Sequence, residues 1–116
     1  MTKLLIFIGE DQKFAVESTI SAIVAMNGTT NARRGDFIGA IFECEYGYAG
    51  TSTIIRLSKD AETITAEGLN PCSLVFALEL QRALPIDLNA IDMEYSFNVA
   101  LRDFQDVEQL TQAVSA

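Results

Sequence analysis

Histidine is absent from the 116-residue sequence. Its absence removes the commonest general base, the commonest transition-metal ligand and the side chain that switches charge near neutral pH. Without it no Ser-His-Asp triad can form, and no Ser-x-x-Lys stands in for one. Cysteine is scarce: Cys44 and Cys72 lie far apart, so there is no C-x-x-C and no Cys/His zinc quartet. Both sit within apolar patterns and read as two buried small hydrophobes, with a disulfide as the alternative. Only two prolines and seven glycines occur, which leaves no long disordered tract. Basic residues are few, 8 against 16 acidic, for a formal net charge of −8. Such a surface repels nucleic acid and anionic lipid and attracts basic partners, or it simply keeps the chain soluble. Long apolar runs are missing too. Leu4–Ile8 is too short for a signal-peptide core or a bilayer span, so a cytoplasmic location is expected.

What remains is ordinary globular usage, 49% hydrophobic and 21% charged, over a length that suits one domain, residues 1–116. Leu4–Ile8, apolar on both faces, reads as a central strand. Glu10 and Asp11 suit a helix N-terminus. The helix is expected to run to about Met26 with Val16, Ile20, Ile23 and Val24 as its apolar stripe, stopped by Asn27 and Gly28. Thr29–Asp36 reads as a polar loop carrying Arg33 and Arg34.

From Phe37 the period becomes two. Ile38, Ala40, Phe42, Cys44, Tyr46 and Tyr48 fall on one face, and Gly39, Ile41, Glu43, Glu45 and Gly47 on the other. A turn at Ala49–Thr51 returns the chain as Ser52–Ser58, with Ile55 and Leu57 inward and Ile54 and Arg56 outward. Lys59–Ala61 turns again into Glu62–Ala66, with Ile64 and Ala66 inward. Asn70 and Pro71 are cap and first residue of a largely buried helix carrying Leu74, Val75, Ala77, Leu78, Leu80 and Leu84. Ala90–Leu101 alternates without a break, placing Ile91, Met93, Tyr95, Phe97, Val99 and Leu101 on one face and Asp92 and Glu94 on the other. A short helix capped by Asp106 closes the chain. The order β-α-β-β-β-α-β-α predicts an α+β fold: a single mostly antiparallel sheet with helices on one face, of the split βαβ, ferredoxin-like type.

Glu43 with Glu45, and Asp92 with Glu94, each share a strand face by geometry. If the two strands are neighbours, four carboxylates crowd together and repel unless a cation or basic partner relieves them. Three readings follow: a solvated polar face, a docking patch for a basic protein, or a carboxylate acid/base pair or Mg²⁺/Ca²⁺ site. No EF-hand spacing supports the last, and Gly47–Gly50 lacks the context of a phosphate loop. Tyr46 and Tyr48 suit either core or interface. The Arg33–Arg34 pair reads as solvated. No cofactor is called for, and no spacing asks for an enzyme. Neither nucleic acid nor membrane is an expected partner.

The stretch Leu84-Pro85 through Ile91-Asp92-Met93-Glu94-Tyr95-Ser96-Phe97-Asn98-Val99, then Val107-Glu108-Gln109-Leu110, resembles the endings of small acidic immunity proteins of bacterial contact-dependent and polymorphic toxin systems. The resemblance implies a cytoplasmic binding protein rather than an enzyme. It would neutralise a cognate basic toxin domain. The implied contact surface is acidic: Glu43, Glu45, Asp92 and Glu94, with Asp60 and Glu62 at a turn and Tyr46 and Tyr48 as anchors. The alternative is a self-associating regulatory or ligand-sensing domain of ferredoxin-like type, forming a homodimer through outward-facing Leu5, Phe7, Ile41 and Ile54.

Overall fold

A computed structural model describes residues 3–37 and 39–115. Ile38, expected on the inward face, lies outside the described residues. The chain order is β1 (Leu4–Phe7), α1 (Val16–Val24), β2 (Thr29–Phe37), β3 (Ala40–Tyr48), β4 (Thr51–Ser58), β5 (Thr63–Ala66), α2 (Pro71–Ala83), β6 (Asn89–Asp92), β7 (Asn98–Ala100), a short 3₁₀ turn at Leu101–Asp103, and α3 (Val107–Ser115). All seven strands form one sheet in the order β2-β3-β4-β5-β1-β6-β7. Every neighbouring pair is antiparallel. The fold is therefore α+β, as the pattern predicts. The split βαβ unit is β5-α2-β6, two parallel strands with β1 inserted antiparallel between them.

One face of this sheet is buried. Leu4, Ile6, Phe42, Cys44, Tyr46, Ile55, Leu57 and Ile64 join Ile20 and Ile23 of α1 and Phe76, Ala77 and Leu80 of α2 in a single core. Tyr46 meets Phe76 edge to face, with ring centroids 5.3 Å apart. α2 is capped as its sequence indicates: Asn70 Oδ1 accepts from Ser73 N at 3.1 Å, and Pro71 opens the first turn. α3 is capped by Asp106, whose Oδ1 accepts from Gln109 N at 2.9 Å, and it buries Leu110. Cys44 and Cys72 are buried free thiols.

Three elements differ from the sequence expectation. Glu10 and Asp11 do not cap α1. They lie in a turn after β1, and residues 12–15 run on without helix so that Phe14 can enter the core, its N–H donating to Ala61 O at 2.8 Å. Val24 is 51% exposed rather than part of the stripe. The polar segment expected as a loop is β2, an edge strand on β3. Its register jumps between Thr30 and Arg33, at the bulge marked by Asn31 with φ 52°. Finally, the expected strand Ala90–Leu101 is a hairpin. Asp92 clamps the turn by accepting from Ser96 N at 2.7 Å and from the Ser96 hydroxyl, and Tyr95 sits at φ 56°.

Glycine is required where backbones meet. The Gly28 carbonyl accepts from Gly47 N at 2.9 Å, and a Cβ at Gly28 would lie 2.5 Å from Gly47 O. The β3–β4 turn has Ala49 and Gly50 both at positive φ, 53° and 84°, the two-residue turn whose twist suits a hairpin.

Candidate functional site

The helices cover only one face of the sheet. On the other, alternation along the strands sets out Leu5 and Phe7 (β1), Ile41, Glu43 and Glu45 (β3), Ile54 and Arg56 (β4), Thr63 and Thr65 (β5), and Ile91 (β6). Leu5, Phe7, Ile41 and Ile91 are half-buried and Ile54 is exposed. Their neighbours follow from register: Leu5 is opposite Thr65 and Ile91, and Glu45 opposite Ile54.

A charge ladder crosses this face from β2 toward β1. Arg33 forms an ion pair with Glu43 Oε2, and Arg56 Nε donates to Glu43 Oε1 at 2.8 Å. Arg56 Nη1 then reaches Glu67 at 2.7 Å, and Lys3 Nζ lies 3.4 Å from the same carboxylate. The sequence of signs across the strands is thus plus, minus, plus, minus, plus. The two guanidiniums, Arg33 first, hold the Glu43 carboxyl below the usual carboxylate range, and Glu43 in turn raises Arg56. Glu45 accepts from Asn31 Nδ2 at 2.6 Å. A depression of about 550 Å³ lies over the bulge, lined by Asn31, Arg33, Glu43, Glu45 and Ile54.

Beside it the face is apolar with an acidic rim. A groove of about 400 Å³ has Leu5, Phe7 and Ile91 among its lining residues, with Glu10, Asp11 and Glu62 and the ring of Tyr95. No basic residue lines it among the described residues. Tyr95 is 76% exposed.

The eight residues singled out from sequence do not form one surface. Glu43 and Glu45 share the open face as expected, but both are engaged. Asp92 and Glu94 do not join them, because β6 is not a neighbour of β3: β4, β5 and β1 lie between. Asp92 is opposite Leu4 on the helix-covered face, only 3% exposed, and Glu94 lies in the hairpin turn. The inversion has a physical cause. Ile91 pairs with Asn98 and Ala90 with Val99, so the tight turn breaks the parity that an uninterrupted strand would keep. Hydrogen bonds from the Ser96 hydroxyl and N–H keep the Asp92 carboxyl below its usual range. Tyr46 is a core residue, not a surface anchor. Tyr48 lies on the helix side, in a small cleft with Val75, Leu78, Glu79 and Arg82. Asp60 holds the β4–β5 turn, accepting from Ser58 Oγ at 2.6 Å and Glu62 N at 3.0 Å. Of Asp60 and Glu62, only Glu62 lines the groove.

Sequence reasoning missed Arg56 and Glu67 as ladder partners and Glu10, Asp11, Ile91 and Tyr95 as groove residues. A signal for the first existed. The two-residue turn at Ala49–Gly50 sets Tyr48 opposite Thr51, and equal steps back place Glu43 opposite Arg56. Arg34, read with Arg33 as solvated, makes a two-pronged pair with Glu17 of α1, both bonds at 2.8 Å. Among the described residues no cluster of His, Cys, Asp or Glu could hold a metal ion, and no helix is long and apolar enough to cross a membrane. No family model matches the chain, and no curated protein or solved structure matches it.

Proposed function

We propose that the protein acts by binding a basic protein, a bacterial toxin domain that it neutralises, across the uncovered face of its sheet. The observation that carries this reading is that face itself. Leu5, Phe7, Ile41, Ile54 and Ile91 stand on it without a helix to cover them. Apolar side chains gathered on one open surface with a polar rim are the composition of a contact core. A net charge of −8 supplies the long-range attraction for a cationic partner and opposes approach of nucleic acid. Neutralisation then needs no chemistry from this chain, only coverage of the partner's working cleft.

The test is to recover the bound protein from the source lysate at low salt and purify it. Its binding rate constants are then measured against the wild type and Ile54→Arg, which puts a charge in the middle of the face. Co-expression with the recovered protein reads neutralisation as restored growth. The reading predicts a basic partner, association slowed by salt, at least tenfold weaker binding by Ile54→Arg, and growth protection by the wild type. It fails if the partner is not basic, if Ile54→Arg binds equally well, or if growth is not protected.

The ladder favours a second reading, self-association. A row of alternating signs is complementary to its own two-fold image when the axis passes between two neighbouring charges, so two copies offset by one charge can pack face to face. Sedimentation of the isolated chain decides: a dimer that Ile54→Arg dissociates assigns the face to a second copy.

A further inference from the structure

We infer that the acid-rimmed groove at the β1–β6 end of the open face receives an extended segment of the partner that alternates arginine or lysine with apolar residues. The inference rests on the protein-binding reading and names what that reading leaves open. The floor is apolar, with Leu5 and Ile91 paired side by side and Phe7 next along β1. Glu10, Asp11 and Glu62 stand around it.

This combination excludes most occupants. A purely apolar segment would strip water from three carboxylates and return nothing to them. An anionic segment would add repulsion. A long cationic side chain satisfies both parts: its methylene stem lies on the apolar floor and its charged head reaches the carboxylates. Guanidinium suits this further, because its planar fork matches a carboxylate and stacks on an aromatic ring. Tyr95 offers that ring, held out by a turn that Asp92 clamps through Ser96 N at 2.7 Å and through the Tyr95 N–H to Asp92 O at 3.2 Å. The volume, about 400 Å³, holds a few side chains and not a folded surface, so the occupant is a segment.

The ladder on the same face gives the contrast. There the carboxylates of Glu43 and Glu67 are already met by Arg33, Arg56 and Lys3, and an incoming cation would have to displace them. Cations are therefore directed to the groove.

The experiment uses the full chain with labelled methyl groups, titrated with a synthetic hexapeptide of alternating leucine and arginine and with its leucine–glutamate counterpart. Saturable shifts at Leu5 and Ile91 are expected for the arginine peptide and none for the other. The triple reversal Glu10→Lys/Asp11→Lys/Glu62→Lys is expected to weaken binding at least tenfold, and Tyr95→Ala about threefold or more, within the range of an exposed cation–π contact. Reversal of Asp103 and Glu108, exposed residues outside the groove, is the control for net charge and should cost much less. If the triple variant does not fold, Tyr95→Ala carries the test, because its ring is already in solvent. Absence of saturable shifts, shifts centred on Glu45 and Ile54, or equal losses from the control reversal would overturn the inference. So would concentration-dependent shifts of the same methyls without peptide, which mean a second copy. A peptide that fails while Ile54→Arg still abolishes partner binding removes the groove assignment and leaves the protein-binding reading standing.

Discussion

Replacing Gly28 by alanine should destabilise the protein although only one methyl group is added. The new Cβ would stand 2.5 Å from the carbonyl oxygen of Gly47 and 2.9 Å from Cε1 of Tyr46. A comfortable separation is nearly 1 Å longer, and neither obstacle is free to move. The first is backbone, tied to Gly28 by the 2.9 Å bond from Gly47 N to Gly28 O. The second is a core ring wedged edge-on against Phe76. Overpacking of this kind costs about 1–3 kcal/mol. Loosening the Gly47–Gly28 hydrogen bond adds up to about 1 kcal/mol. Against this, alanine stiffens the unfolded chain and returns about 0.4–1 kcal/mol. The balance is a loss of about 1–3 kcal/mol, or roughly 4–12 °C in melting temperature at some 4 °C per kcal/mol for a domain of this size. Thermal unfolding followed by circular dichroism measures it. Gly39→Ala is the comparison: it sits at φ 74° with nothing within 4 Å of the added Cβ, so it carries backbone strain without a clash. Tyr46→Phe/Gly28→Ala should recover little, since the ring edge remains. A Gly28→Ala protein as stable as wild type would refute the close approach of the two backbones.

Two further outcomes follow from the buried and clamped groups. Asp92 has its folded pKa below its ordinary 3.8, so its contribution is fully present above that value and is lost as pH falls through the folded pKa. The melting temperature should hold from neutrality to about pH 5 and fall below about pH 4. In Asp92→Asn the neutral-pH value drops and the acid slope flattens, and an unchanged slope would deny the clamp. Burial pushes the Cys44 thiol up to about 12, and both thiols are about 1% exposed or less. Neither should react with a thiol reagent in the native protein at pH 8, and both should react in denaturant; a fast native reaction would show that the core opens.

The parts of the fold legible in sequence are those where a local physical signal stands alone. Asn70-Pro71 marks the start of α2 because cap and ring constraint act within three residues. The alternation through Phe42, Cys44, Ile55, Leu57 and Ile64 sorts the sheet into its two faces because both strands of the β3–β4 hairpin are half-buried. Where the structure departs, the deciding contact lies elsewhere in the chain. β2 has no periodic pattern of its own; its strand form depends on pairing with β3, and its arginines find Glu43 and Glu17, 10 and 17 residues away. The residues after β1 leave the helical path because Phe14 is drawn to the core and its N–H to Ala61. The β6–β7 turn contains neither glycine nor proline, so nothing in the alternation from Ile91 to Val99 announces it. A side-chain clamp from Asp92 and a left-handed tyrosine replace the usual turn residues there, and the face of Ile91 is inverted as a result.

That inversion changes the functional argument more than any other detail. With Asp92 on the open face, β6 would add a carboxylate where Ile91 now stands, though β4, β5 and β1 would still separate it from Glu43 and Glu45. With Ile91 on the face instead, two unlike regions result. Glu43 and Glu67 are spent on Arg33, Arg56 and Lys3, a run of three positive and two negative groups. The acids without a lining base stand around Leu5, Phe7 and Ile91. Charge reversal at Glu43 then has a different meaning from reversal at Glu62. The first puts a third cation beside Arg33 and Arg56 and disturbs the sheet, whereas the second changes an acid that lines the groove and is not part of the ladder. A binding defect from Glu43→Lys is therefore evidence about folding until stability has been measured beside it, and Glu62→Lys is the variant whose binding defect bears on recognition.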